Sequence, residues 1–257
     1  MEDNMELEKL DPKGRFSSRV HNYVKYRPSY PKEIIEFLQE AIGLSKDSII
    51  ADVGSGTGIS AKLFLDNGNT VYAVEPNRDM RQAAEGLLQG YNNFYLVDGS
   101  SENTTLKAES IDVIVAAQAF HWFDPEPTKE EFLKILKPEG YLVLLWNKRK
   151  RINTGFMGEY LNFIKRYGKM EIEKTHDCVV PKFFNSRDLN KKDFSNSQHY
   201  NFERLKGELA SFSYMPNEDH KDFVPMMVEL ENIFNKYNDN GKVVLEYETE
   251  VYYCKMK

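Results

Sequence analysis

Up to about residue 150, short runs of aliphatic and β-branched residues alternate with stretches of helical periodicity. Residues 48–53, 70–75, 93–97, 111–116 and 141–146 read as strands, and residues 59–66, 78–88 and 129–136 read as helices. The strands are near-continuous apolar runs rather than strict alternations, as expected for strands covered on both faces. Parallel strands need crossover connections, and the intervening helices supply them. Asn67-Gly68 closes the first helix, and Pro138 with Gly140 closes the helix before the fifth strand. The pattern predicts an α/β domain with a doubly wound sheet.

Beyond residue 150 the pattern changes. Met157, Tyr160, Leu161, Ile164 and Tyr167 recur at helical spacing, residues 223–234 repeat it, and both segments predict amphipathic helices. Residues 242–256, rich in Val and Tyr, predict one or two strands added to the sheet edge. Residues 171–197 are polar and predict no element. The expected organisation is one domain over residues 1–257. It comprises an N-terminal cap (1–45), a ligand-binding core (46–150), an insertion over the substrate site (151–205), and C-terminal helices and edge strands (206–257).

Composition narrows the function classes. A hydrophobic fraction of 41% over 257 residues supports a packed core. With 34 Lys and Arg against 40 Asp and Glu the net charge is -6, so bulk nucleic acid is not an expected partner. The basic run Lys148-Arg149-Lys150-Arg151 reads as a solvated loop. Two cysteines, Cys178 and Cys254, have no metal-ligand spacing, and no metal is expected. The N-terminal residues 1–11 lack an apolar signal core, and no run approaches the ~20 apolar residues that span a bilayer. The expected setting is the cytoplasm, away from membranes, as a monomer or homodimer.

The densest chemistry lies where the first strand runs into Asp52-Val53-Gly54-Ser55-Gly56-Thr57-Gly58 and then a helix. Glycine belongs where backbone turns tightly and approaches a ligand without a Cβ in the way. Seventeen residues past Gly58, the second strand ends at Glu75, followed by Pro76. In a doubly wound sheet this sets a carboxylate beside the glycine loop, where it can accept both hydroxyls of a ribose. The spacing is G-x-G-x-G, with Ile59 where a dinucleotide fingerprint has its third glycine. Asp52 would repel a pyrophosphate and suits a cofactor with a cationic end, such as the ammonium and sulfonium of S-adenosylmethionine.

The segment from Asp52 to Gly58, followed by Glu75, resembles the cofactor motif of the class I S-adenosylmethionine-dependent methyltransferases. Ala117-Gln118-Ala119-Phe120-His121-Trp122-Phe123 is similar to the Q-A-x-H-W-F signature of a bacterial and fungal branch that includes trans-aconitate methyltransferase-like proteins. Residues 23–31 resemble that branch's Y-x-x-Y-R-P-x-Y-P segment, and residues 205–216 resemble its C-terminal part. The resemblance covers most of residues 16–256 and is weakest over 151–197. It implies a Rossmann-like doubly wound sheet, mostly parallel with an antiparallel C-terminal edge strand, plus a helical cap. It also implies cofactor contacts from Asp52, Gly54, Ser55, Gly56, Gly58, Glu75, Pro76, Ala117 and Gln118, with Ser100 and Ser101 toward adenine. Arg27, whose guanidinium fork matches a carboxylate, is the expected partner of the cofactor's carboxylate. Tyr23, Tyr26, Tyr30, His121, Trp122 and Tyr214 are the expected substrate-pocket residues, with His121 the candidate general base.

Methyl transfer from a sulfonium is an in-line displacement, so alignment and exclusion of water supply much of the catalysis and a base is optional. No N/D-P-P-Y/F motif follows the fourth strand, which argues against nucleobase amines and for a small-molecule acceptor. Two other classes stay open at this point: a cofactor-binding regulator without chemistry, and an NAD-type oxidoreductase, which Ile59 and Asp52 disfavour.

Overall fold

A computed structural model describes residues 26–168, 183, 189–212 and 214–257. Among the described residues seven strands form one sheet: β1 (Ile49–Val53), β2 (Thr70–Val74), β3 (Phe94–Val97), β4 (Ile111–Ala117), β5 (Leu136–Arg149), β6 (Asn190–Tyr200) and β7 (Val243–Lys255). Their order is β3-β2-β1-β4-β5-β7-β6. Strands β1 to β5 pair in parallel, β7 runs antiparallel to β5, and β6 runs antiparallel to β7. The expected antiparallel C-terminal strand is present, but it lies inside the sheet with β6 outside it as the edge. The helices with described bounds are α1 (Glu33–Ile42), α2 (Ile59–Asn67), α3 (Arg78–Leu88), α4 (Pro125–Ile135), α5 (Gly155–Tyr167), α6 (Phe202–Ala210) and α7 (Phe223–Tyr237).

Successive side chains on a strand point to opposite faces, and the core divides accordingly. Ile114, Ala116, Leu142, Leu144 and Trp146 join Phe132 and Ile135 of α4 on one face. Val113, Val115, Val143 and Leu145 join Ile34 and Leu38 of α1 and Phe64 of α2 on the other. At roughly 1.5–3 kcal/mol for each fully buried large side chain, these two layers hold the sheet. A third core collects α5, α6 and α7 against the far ends of β6 and β7, around Tyr160, Phe163, Leu209, Leu230 and Tyr247. This is the helical cap.

Three differences from the sequence reading have physical reasons. Helix α1 lies within the segment expected to be a cap, yet its apolar stripe of Ile34, Ile35 and Leu38 is buried as part of the main core. Strand β6 was not expected, because its sequence is largely polar. Every one of its residues nevertheless pairs with β7, from Asn190 opposite Tyr253 to Tyr200 opposite Val243. The basic run is not a solvated loop: Lys148 and Arg149 belong to β5, Lys148 pairs with Glu250 at 2.8 Å, and Arg149 is carried into the interior. Among the described residues no helix is long and apolar enough to cross a membrane.

Candidate functional site

The glycine loop leaves the carboxyl end of β1 in a conformation that side chains resist: Gly54, Gly56 and Gly58 have φ of 69°, 55° and 84°. Each glycine has its own reason. A Cβ on Gly54 would stand 2.6 Å from the Ala119 Cβ, so this position lets the segment after β4 approach. A Cβ on Gly56 would meet nothing within 4 Å and would project into open space. A Cβ on Gly58 would stand 2.6 Å from the Leu88 Cδ1, so this glycine packs α2 against α3.

Glu75 follows β2 immediately beside the loop, and its carboxylate is locked in place. Its Oε2 accepts from the Gly56 N–H at 2.9 Å and its Oε1 from the Asn77 N–H at 2.8 Å. Burial raises its pKa, opposed by those two N–H groups and by Arg81. Asn77 in turn caps α3, accepting from the Met80 N–H at 3.0 Å.

Two neighbouring cavities share Gly54, Gly56, Ala117 and Gln118. The larger, about 170 Å³, is bordered also by Glu75, Pro76, Ser100, Ser101 and Trp122. The smaller, about 40 Å³, is bordered by Arg27, Tyr30, Ser55 and Thr57. Together they occupy the carboxyl edge of the sheet where β1 and β4 diverge to opposite sides, the usual ligand crevice of a doubly wound fold. Gln118 stands at the junction with φ 57°, a left-handed conformation rare outside glycine. Its N–H donates to the Leu145 carbonyl at 2.9 Å and its Nε2 to the Asn147 carbonyl at 3.3 Å.

The smaller cavity is polar in an uncommon way. Ser55 and Thr57 are 6% and 1% exposed, and neither Ser55 Oγ nor Thr57 Oγ1 has a partner among the described residues. Buried hydroxyls left unsatisfied cost free energy unless a ligand or water completes them. The segment carrying Arg27 is fixed over this cavity by a fan of amides. The Ser29 carbonyl accepts from Asn196 at 2.8 Å, Gln198 at 3.1 Å and Asn147 at 3.3 Å.

Several expected site residues are placed elsewhere. Asp52 borders neither cavity: it is fully buried beneath the loop, where it accepts from the Ser60 hydroxyl at 2.7 Å. Burial pushes its pKa up to about 7, against the pull of Ser60 and the Ala61 N–H and with a push from Glu75. Gly58 also borders neither cavity. Tyr26 packs on α6, its ring within 2.0 Å of where a Gly207 Cβ would lie, and borders a separate surface hollow. Tyr214 stacks on Phe212 at 5.3 Å, and its hydroxyl lies 3.4 Å from Arg149 Nη1. His121 lies on a one-turn helix, Phe120–Trp122, tilted against Trp122 at 4.9 Å, and does not border the two cavities. Tyr23 lies outside the described residues.

Residues that the sequence reading did not assign to the site also border the larger cavity, notably Met80, Glu102 and Phe123, the last of them within the quoted signature after β4. Glu102 accepts from the Ser101 hydroxyl at 2.7 Å. Burial opposes its charge, but the Ser101 and Ser100 hydroxyls together with the Glu102 and Asp124 N–H groups hold its pKa below the ordinary value. Met80 was legible in principle, since it falls one turn into the helix that follows Glu75. Among the described residues no group of three or more His, Cys, Asp or Glu could hold a metal ion.

The sheet order and the glycine-loop cleft define a doubly wound α/β protein with a ligand-sized crevice at the carboxyl edge of its parallel strands. Comparison with known proteins agrees: residues 51–144 match the methyltransferase domain family model. An uncharacterized methyltransferase of Schizosaccharomyces pombe is 25% identical over 221 residues, covering 85% of this chain and 86% of the relative. An uncharacterized methyltransferase of Mycobacterium bovis is 32% identical over 164 residues, 64% of each chain. A solved structure assigned as a type II methyltransferase, from Anaeromyxobacter dehalogenans, superposes with a TM-score of 0.73 at 18% identity, covering 90% of this chain and 98% of that one. Over residues 51–144 the chain is similar to methyltransferase domains, and its fold is that of a solved methyltransferase structure.

Proposed function

We propose that this protein binds S-adenosylmethionine in the paired cavities and transfers its methyl group to a small-molecule acceptor. The observation that carries the reading is the Glu75 carboxylate, fixed by the Gly56 and Asn77 N–H groups at the wall of the larger cavity. A carboxylate so held retains lone pairs for the two hydroxyls of a ribose. The residues present fit the cofactor. Gly56 leaves a cradle that any side chain would invade, and the orphaned Ser55 and Thr57 hydroxyls with Arg27 suit the methionyl carboxylate. Met80 and Phe123 would hold adenine between apolar surfaces, with Ser100, Ser101 and Glu102 at its polar edge.

When bound, the cofactor supplies an electrophilic methyl group on a positively charged sulfur. The protein's own contribution is alignment and dryness: Gln118, locked in its left-handed conformation, and Ala117 form the wall common to both cavities. No base is required for an acceptor that is already a nucleophile. His121, set outside the two cavities, is expected to be replaceable: His121→Ala leaves turnover at saturating cofactor within about threefold. A loss of 10²–10⁴-fold would place it at proton transfer.

The net charge of -6 supports a metabolite acceptor over a nucleic acid. Calorimetry with S-adenosylhomocysteine and NADH tests the cofactor, and binding of NADH alone would refute the reading. Labelled-methyl transfer into a metabolite extract tests the reaction. Label appearing only in RNA would overturn the acceptor class, and cofactor binding without transfer to any pool would favour a regulator.

A further inference from the structure

Arg27 borders the smaller cavity, but what aims it there comes from the helical cap. Its Nη2 donates to the Ser211 carbonyl at 3.3 Å, and its guanidinium lies 4.6 Å from the centroid of the Phe212 ring. Both residues follow α6, whose C-terminal end is the negative end of the helix dipole. Phe212 is 2% exposed and is itself clamped. Its ring stacks with Tyr214 at an interplanar angle of 4°, and a second guanidinium, that of Arg149, lies 4.4 Å from the same centroid. Arg149 lies 3.4 Å from the Glu208 carboxylate, which also accepts from the Tyr247 hydroxyl at 2.6 Å. A chain of fixed groups thus runs from β7 through Glu208 and Arg149 to Phe212, and ends on Arg27.

We propose that Phe212 is a positioning residue for cofactor recognition: its ring face, held by Arg149 and Tyr214, fixes the Arg27 guanidinium against the methionyl carboxylate of S-adenosylmethionine. The inference rests on the cofactor reading above and adds to it a role for the cap. The π face attracts the cation without consuming its N–H donors, so the fork keeps the geometry that a carboxylate matches. Two cations on one ring would repel each other, and the buried Glu208 carboxylate offsets that repulsion.

The test uses two ligands that differ in the amino-acid part. S-adenosylhomocysteine carries the carboxylate, whereas 5′-methylthioadenosine keeps the adenosine and lacks it. In the full-length protein, Phe212→Leu is expected to weaken S-adenosylhomocysteine binding by about 3- to 30-fold, the span of a cation–π contact, and to leave methylthioadenosine affinity unchanged. Phe212→Tyr, which keeps the ring face, retains the wild-type ratio. On an Arg27→Gln background Phe212→Leu adds no further loss. If the leucine variant does not fold, Phe212→Met, whose unbranched side chain adapts to an irregular gap, reads the same contrast. Equal weakening of both ligands, no weakening of either, or additive losses in the double variant would overturn the inference while leaving the cofactor site standing. A wild-type protein that binds neither ligand would instead refute the cofactor reading.

Discussion

The three glycines of the loop make a prediction in which stability and binding separate. At Gly56 a side chain must adopt φ 55°, which costs an L-residue roughly 1–2 kcal/mol. No protein atom lies within 4 Å of its Cβ, so no clash adds to that cost. The branches of Gly56→Val instead enter the space between the two cavities, where the ribose and methionine parts of the cofactor would lie. The expected result is a modest loss of stability with a Kd for S-adenosylhomocysteine raised at least about 100-fold, equal to about 2.7 kcal/mol. At Gly58 the balance is reversed. Gly58→Ala faces φ 84° and a Cβ 2.6 Å from Leu88 Cδ1 in a packed layer, so roughly 1–3 kcal/mol of overpacking joins the backbone strain. The total, about 2–5 kcal/mol, lowers Tm by roughly 4–20 °C, while Kd measured well below Tm stays within about threefold. Scanning fluorimetry with calorimetry on both variants reads the two quantities. A Gly56→Val protein that binds normally, or a Gly58→Ala protein that keeps its Tm but loses binding, refutes the assignment.

Three further outcomes follow from the geometry. Glu75→Gln replaces an acceptor oxygen by a donor and removes the charge, and should weaken S-adenosylhomocysteine binding by about 10- to 150-fold, the worth of a hydrogen bond to a charged group; unchanged affinity would detach Glu75 from the ribose. Asp52, whose pKa rises from 3.8 to about 7 on folding, keeps a proton that the unfolded chain has released, so unliganded stability falls as pH rises through that interval and is level above it. The fall is of order 4 kcal/mol and should vanish in Asp52→Asn; urea midpoints at pH 5 and pH 8 showing the same slope in both proteins would count against it. Glu208→Ala strands the Arg149 guanidinium in the interior and should cost about 3–5 kcal/mol, most of it regained when Arg149→Met and Glu208→Leu are combined; a single-variant cost below about 1 kcal/mol in urea unfolding would show that the pair behaves as a surface one.

Much of the parallel half of the molecule was legible because its chemistry is local. Five apolar runs gave β1 to β5, and the glycine spacing with Glu75 located the cleft, since the carboxyl ends of neighbouring parallel strands must lie side by side. Strand β6 was not legible. Its stability comes from backbone pairing with β7, which polar side chains neither signal nor prevent. Asp52 and Gly58 show the limit from the other side: their residue types suit a cofactor, yet burial beneath the loop and contact with Leu88 give them structural work.

The sequence by itself determined the sheet, the turn that opens toward a ligand, and the carboxylate beside that turn, because periodicity and local backbone freedom encode them. Only the tertiary structure decided which residues face the cleft. Arg27 reaches it from the N-terminal segment because amides on β5 and β6 grip the Ser29 carbonyl, and it is aimed there by a phenylalanine from the cap. Arg149, read as one cation in a solvated run, is drawn inside because alternation along β5 turns it toward Glu208 while Lys148 pairs at the surface with Glu250. Such contacts join residues more than fifty positions apart, and no local pattern carries them.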